Sequence, residues 1–503
     1  MTPPTDGTVP VPLPADLSVP PRLSTGWTGA DDRLLEHLRA VCPVDTDPSV
    51  CAEWGRDWWP LALRWAAQGG VPARAAAVAR PADTGQVAAV LTACREAGVP
   101  VTPAAGRSGV CGSSVPVSGG VVLDLRSLAG IRAVDDQSLL ATVGAGTYGH
   151  HLEAELRARH GVTLGHWPQS VELSTVGGWL ACRSAGQYST RYGKIEDMVV
   201  GLEAVTADGR VWRTGGRGPR SATGPDLTQL LVGSEGTLAV ITEAELRVHP
   251  VPPAERRSAW AFPDFGAGLE VCRRVLRRGA TPAVLRLYDA LESARSFEVQ
   301  GRAVLIVLDE GDALLVEAVS RLVLEECQGA GATRLDDALV QRWVDHRNDV
   351  SALGALVQRG FVVDTAEVAG RWSVLPRLYE DVTAALGGID GTLVASAHQS
   401  HAYSDGACLY FTFAARPPDG ADADWGDRYY GAAWGAVMDA VVAAGAAVSH
   451  HHGIGLLRAD ALRRSLGPAH ELLVALKAAL DPAGVLNPGK LGMPSPFGPP
   501  AWP

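Results

Sequence analysis

The sequence predicts an α+β protein built as two main units, an α/β unit followed by an α+β unit with an antiparallel sheet. Three observations carry this. From Arg80 onward, apolar runs of strand length alternate with capped helical patterns. The pattern breaks at the PVPP of residues 250–253 and resumes with a different mixture of helices and strands. And 503 residues exceed what one hydrophobic core supports, at about 100–200 residues per domain.

Taken in order, residues 1–24 read as a flexible proline-rich leader, and residues 25–74 as an N-terminal helical segment. Asp31 to Gln68 carries helical spacing and four tryptophans, Trp54, Trp58, Trp59 and Trp65, more than a solvated helix exposes, so they are assigned to interdomain packing rather than a binding surface. Within residues 75–252, DTGQVAAVLTACREAG reads as a capped helix, while VPVTPA, VVLDL and ATVGAG read as strands. YGHHLEAELRARHG reads as a helix, and VVGLEAVTADG with VWRTGG as a hairpin around a DG turn. Residues 253–448 form the second unit, with the helix LEVCRRVLRR and the strands AVLIVLDE and ACLYFTF; residues 449–492 close the chain as a helical segment before a proline-rich tail at 493–503. There is no repeat of fixed period.

With 47% hydrophobic and 20% charged residues and 57 glycines, the chain fits a soluble globular protein rich in tight turns. A net charge of −11 makes nucleic acid a poor partner but leaves room for a local cationic pocket that takes an anionic small molecule. The eight cysteines form no CxxC pair, which speaks against a zinc site or a disulfide framework and for a reducing, cytoplasmic setting. Neither a signal-peptide pattern nor a transmembrane segment of about 18 apolar residues is found.

Two segments carry chemistry. In PAAGRSGVCGSSVPVSGG, residues 103–120, glycines permit close backbone approach, so that successive N–H groups converge on an anion such as a pyrophosphate; alone, such a turn is more often structural, and it is not a GxGxxG fingerprint. PQSVELSTVGGWLACRSAGQYSTRYGKIED, residues 168–197, is a long polar loop that needs something buried to hold it, and a large cofactor does this. LVGSEGTLAVITEAELRV adds a glycine turn and a strand whose backbone can meet the same cofactor.

STVGGW, YGKIEDMV, SATGPDL, GSEGTLAVITEA and SHHHGIG, in that order, resemble the alkylglycerone-phosphate synthase branch of the vanillyl-alcohol-oxidase, or PCMH-type, flavoproteins, from about Arg80 to Leu491. The resemblance implies a PCMH-type FAD-binding domain, a cap domain, and a non-covalent FAD. Its pyrophosphate would be lined by Pro103, Ala104, Ala105, Gly106, Arg107, Ser108 and Gly109. The second half of the site would be Pro168, Gln169, Ser170, Val171, Glu172, Leu173, Ser174, Thr175, Gly178, Cys182, Arg183, Ser184 and Ala185, completed by Glu235, Gly236, Thr237, Leu238, Ala239, Val240 and Ile241. Cys111, beside the first loop, fits a small packing residue better than a reactive thiol.

The resemblance further implies exchange of the acyl group of an acyl-dihydroxyacetone phosphate for an alkyl group through a flavin N5 adduct. Tyr410, His450, His451 and His452 would be catalytic and Arg286 would bind phosphate. Read from the residues alone, Tyr410 in an alternating strand is ordinarily core, and Arg286 among apolar neighbours needs an anion or a carboxylate such as Asp289. Three adjacent histidines rarely share one ion and a third, acidic ligand is not evident nearby, so no metal is assigned. Two positions depart from the branch: Leu353 and His398 stand where it carries further arginines, and neither replaces a bidentate guanidinium. An FAD-dependent oxidoreductase of the D-2-hydroxy-acid dehydrogenase or oxidase type is therefore the alternative, with a histidine as base, and a flavin-binding protein without turnover the third. A homodimer is compatible with all three.

Overall fold

A computed structural model describes residues 9–14, 16–23, 26–216 and 218–500. In the first unit Asp83 caps the helix Thr84–Ala97, its side chain accepting from the Gln86 N–H at 2.8 Å, and Gly98 ends the helix in the left-handed conformation at φ 66°. Ala77–Ala79 and Val101–Ala104 both run parallel to Val121–Asp124, with Val44–Asp45 antiparallel at the edge. Val121–Asp124 is buried along its whole length, as a central parallel strand covered on both faces requires. A five-stranded antiparallel sheet follows, in the order Ile131–Asp135, Leu140–Gly144, Val240–Arg247, Val199–Val205, Val211–Gly215. Its last two strands are the hairpin expected around the DG turn.

The second unit is one seven-stranded antiparallel sheet, ordered Thr333–Leu335, Ala254–Phe262, Ala303–Gly311, Val284–Tyr288, Thr392–Ala402, Gly406–Ala415, Val362–Arg371. One face packs under Phe265–Arg277, Ala313–Gly329, Leu375–Gly387 and Trp425–Ala443 through Leu285, Leu287, Leu409, Phe411 and Phe413. By the two-residue period of a strand, Arg286, Tyr288, Tyr410 and Thr412 point to the other face, towards the first unit.

Three expectations change. Asp31 to Gln68 is three helices, Asp32–Val41, Pro48–Glu53 and Pro60–Ala67, because Pro48 and Pro60 each start a new one. Three of its four tryptophans do pack against the second unit: Trp58 on Val357 and Val363, Trp59 with Nε1 donating to the Tyr430 hydroxyl at 2.9 Å, and Trp65 with Nε1 donating to Asp427 at 2.9 Å, whereas Trp54 packs within the first on Ala75, Val78 and Val122. The leader is not a free arm over its described part. Val9 and Val11 are buried with Trp58, Val357 and Val363, and Arg22 and Leu23 N–H groups donate to Val71 and Pro72; residues 1–8, 15 and 24 lie outside the described residues, as do 501–503 of the tail. The long polar loop holds the short helices Val176–Cys182, Ser189–Tyr192 and Ile195–Met198.

Candidate active site

Between the two units lies one cavity of about 920 Å³. Its first wall is made of the three segments singled out above. Gly106 is where the first loop passes closest to the second: a Cβ there would sit 2.1 Å from the Leu173 carbonyl oxygen, so no other residue fits. Gly236, at φ 72°, brings the third segment against Pro103, where a Cβ would meet the ring at 2.9 Å. The N–H groups of Gly106, Ser108 and Gly109 donate to no backbone carbonyl among the described residues and belong to the cavity wall, a cradle suited to a pyrophosphate. Arg107 lines the cavity while its guanidinium turns away, stacked 4.5 Å over Trp54 and bonded to the Glu53 carbonyl, which fixes the loop.

Of the residues assigned to FAD, Pro103 to Gly109, Pro168 to Ser170, Leu173 to Thr175, Gly178, Cys182, Ser184, Ala185, Glu235, Gly236 and Ala239 to Ile241 line this cavity. Val171, Glu172, Arg183, Thr237 and Leu238 do not. Leu238 sits in the core of the five-stranded sheet, Thr237 bonds Ser234 and receives Lys477 on its carbonyl, and Arg183 ends the helix Val176–Cys182 and faces Glu196. Cys111 is buried off the cavity, as its packing role requires, and burial pushes its thiol well above the ordinary value.

The second wall is set by strand register. Tyr288 pairs with His398, His398 with Tyr410, and Tyr410 with Glu367, which puts four side chains from four strands in one row. His398 stacks on Tyr288 at 5.0 Å and on Tyr410 at 4.8 Å. A bulge between Gln399 and His401 keeps His401 on the cavity face. Burial raises the Tyr410 phenol well above its ordinary value, so it is a neutral hydroxyl group. Arg286 is 9% exposed and Asp289 does not satisfy it: that carboxylate accepts from the Glu292 and Ala397 N–H groups instead. Among the described residues Arg286 has no carboxylate partner; it donates to the Tyr288 hydroxyl at 3.2 Å and to His398 Nε2 at 2.6 Å. Because a guanidinium only donates, His398 Nε2 is an acceptor and Nδ1–H donates to Glu292 at 2.8 Å. Burial and the Arg286 charge hold this imidazole below its ordinary pKa against Glu292. Burial opposes ionisation of Glu292, but His398, Arg295 and Thr412 bring it down to about 2.

The SHHHGIG loop is pinned at both ends by buried carboxylates. Glu367 accepts the N–H groups of His450, His451 and His452 and the Ser449 hydroxyl, and pairs with the fully buried Arg458 at 2.9 Å. Burial opposes its charge, yet Arg458 holds its carboxyl well below the usual range. Glu235 accepts the Ile454 and Gly455 N–H groups at 2.6 and 2.8 Å; burial raises it to about 7. His451 and His452 reach the cavity, with burial lowering His452 to about 4, so both are neutral imidazoles. His450 does not: it stands behind them, bonded to the Tyr403 hydroxyl at 3.0 Å and to His451 at 3.0 Å. Ring nitrogens of His401, His450 and His451 lie within 4.8 Å of one another, but His401 Nδ1 is engaged by Ser189 at 2.7 Å and both His450 nitrogens are bonded.

Residues 75–215 match the model described as FAD binding domain, and residues 251–491 the model described as FAD linked oxidases, C-terminal domain. The chain belongs to the FAD-linked oxidases. FAD is its cofactor, and the first wall with its glycine-shaped cradle fits that group. Among curated relatives of this FAD-linked oxidase, the uncharacterized FAD-linked oxidoreductase YgcU of Escherichia coli is 33% identical, over 83% of this chain and 88% of the relative. Alkyldihydroxyacetonephosphate synthase of Dictyostelium discoideum is 30% identical over 78% and 69%, and glycolate oxidase subunit GlcD of Bacillus subtilis 27% identical over 82% and 88%. A solved alkyldihydroxyacetonephosphate synthase superposes with a TM-score of 0.77 at 24% identity, covering 95% of this chain and 89% of that one, and p-cresol methylhydroxylase with 0.74 at 19%, covering 94% and 99%. These confirm the PCMH-type fold expected. No helix among the described residues is long and apolar enough to cross a membrane.

Proposed function

We propose that this FAD-linked oxidase oxidises a small hydroxylated organic anion of the 2-hydroxy-acid type. The observation that carries this is a guanidinium without a carboxylate partner, Arg286, on the same cavity wall as the neutral imidazoles of His451 and His452. The anion binds at Arg286, since a buried unpaired cation otherwise costs several kcal/mol, of the order of 3–5. A neutral imidazole of His451 or His452 takes the hydroxyl proton, and the Tyr410 hydroxyl donates a hydrogen bond to the substrate oxygen. FAD, held non-covalently by the first wall, supplies the hydride acceptor. Glu367 and Glu235 keep the histidine loop at one distance from that wall.

A second reading is alkyl-for-acyl exchange on an acyl-dihydroxyacetone phosphate. Tyr410 beside the SHHHGIG loop and the Dictyostelium relative favour it. Leu353 counts against it: it lines the cavity where the resemblance puts an arginine, and a departing carboxylate would meet an apolar side chain there. Anaerobic mixing of the holoenzyme with a panel of D-2-hydroxy acids, and separately with the acyl ester, decides. Bleaching by a hydroxy acid supports oxidation. Bleaching by the ester with recovery on adding a fatty alcohol, and an ether product, supports exchange. A yellow protein that responds to neither binds flavin without these chemistries.

A further inference from the structure

Burial of Arg286 with no carboxylate beside it leaves a positive charge for an anionic group, and the side chain bonded to its Nη2 is His398. In the unliganded geometry His398 is no cation: its Nε2 lone pair receives Arg286 Nη2 at 2.6 Å, and its Nδ1–H is given to Glu292 at 2.8 Å. An oxyanion that takes the Nη2 donor of Arg286 removes the hydrogen bond that Nε2 accepts. It then leaves an imidazole whose back is held by an ionised carboxylate and whose free nitrogen faces a second negative charge. Both neighbours favour an imidazolium. We propose that His398 is the second anion-binding group of this site, and that it becomes a cation by taking one proton from solvent when the anion replaces it on Arg286.

The aromatic groups around His398 add no charge, while its cationic neighbours, Arg295 among them, oppose an imidazolium and are offset by the bound anion. Tyr288 and Tyr410 stack on its two sides as neutral phenols, burial having raised both, and Thr412 and Arg295 share Glu292 with it. Trp343, on the helix Ala338–His346, stacks under Arg286 at 5.5 Å and contributes no charge. Arg347 also stacks on Trp343, at 5.7 Å, and adds a positive field. The ligand is an oxyanion, carboxylate or tetrahedral. The proposal rests on the cavity being the substrate site, but it is read without turnover, so failure of the oxidation chemistry and failure of this proposal are separate results.

The test titrates oxidised holoenzyme with oxalate and with sulfate, neither of which changes charge above about pH 6, following the flavin spectrum and the protons taken up in weak buffer. Wild-type affinity should fall about tenfold per unit between roughly pH 6 and 8, the signature of one linked proton, with close to one proton absorbed per anion bound. H398Q should lose both the slope and the uptake, which separates His398 from Glu235 and Asp364, raised to about 7 and about 6. H398R should bind at least as tightly as wild type at low pH and show no slope. Oxalate preferred over sulfate identifies a carboxylate substrate, and the reverse a phosphate or sulfate ester. Flat wild-type affinity with no proton uptake, or a slope retained in H398Q, overturns the proposal; the uptake measurement needs no variant to fold.

Discussion

The two walls of the cavity are made of different material. The flavin wall is backbone: three glycine-bearing segments whose N–H groups and close packing leave little for side chains to do, and whose one arginine, Arg107, points away. The cap wall is side chain: Arg286, His398, Tyr410, His451 and His452, each held by a carboxylate or a ring. A wall of backbone suits the flat bulk and phosphates of a cofactor, and a wall of ionisable side chains suits a substrate. Changes to the first should therefore cost FAD, and changes to the second should cost turnover with FAD in place.

The largest expected effect is on the flavin wall. G106V drives a side chain into the Leu173 carbonyl, and the purified protein should carry less than about a tenth of the wild-type flavin, read from its absorbance after acid release. Acid should release the flavin of the wild type completely, and a yellow pellet would refute non-covalent binding. Next is R458M, which strands the Glu367 charge and should destabilise the fold by about 3–5 kcal/mol in denaturant melts. Y410F removes one hydroxyl without making a void; it should retain FAD and lower the rate of flavin reduction about 10²-fold.

The smallest effect is a pH dependence. Glu235 holds its proton to about pH 7 when folded but only to about 4.5 when unfolded, so through this group stability falls as pH rises from about 4.5 to 7. E235Q should flatten that part of the curve. Glu292, lowered to about 2, acts with the opposite sign: its contribution is present above about pH 4.5 and is lost as pH falls towards 2. Thermal melts of both proteins at pH 5 and pH 8 compare the slopes, and an unchanged slope in E235Q would remove Glu235 from the account.

How far each wall could be read from sequence follows from the same contrast. Gly106, Ser174 and Gly236 lie in contiguous motifs, where the turn residues that shape a cradle are also the ones that announce it. The hairpin at the DG turn and the helix from Thr84 are local for the same reason. Tyr288, Glu367, His398 and Tyr410 meet only through pairing of four strands, and nothing local fixes that register. Glu292 illustrates the loss. In LESARSF it looks like the outward acid of a short amphipathic helix, yet it is buried under His398. Glu367 stands in the middle of the strand Val362–Arg371, and Arg458, which completes it, lies 91 residues on. His398 was visible only as a missing arginine; its hydrogen bonds to both Arg286 and Glu292 needed the fold. The docked leader was obscured by its prolines, since composition signals a linker while Val9 and Val11 supply the contact.

The division of labour between the walls is tested most directly by R286Q, compared with wild type for flavin content and for anaerobic flavin reduction by the preferred substrate. The account predicts unchanged FAD and a substrate dissociation constant raised about 10- to 100-fold, the worth of a charged hydrogen bond. Substrate affinity equal to wild type, or loss of FAD with the arginine, would contradict it.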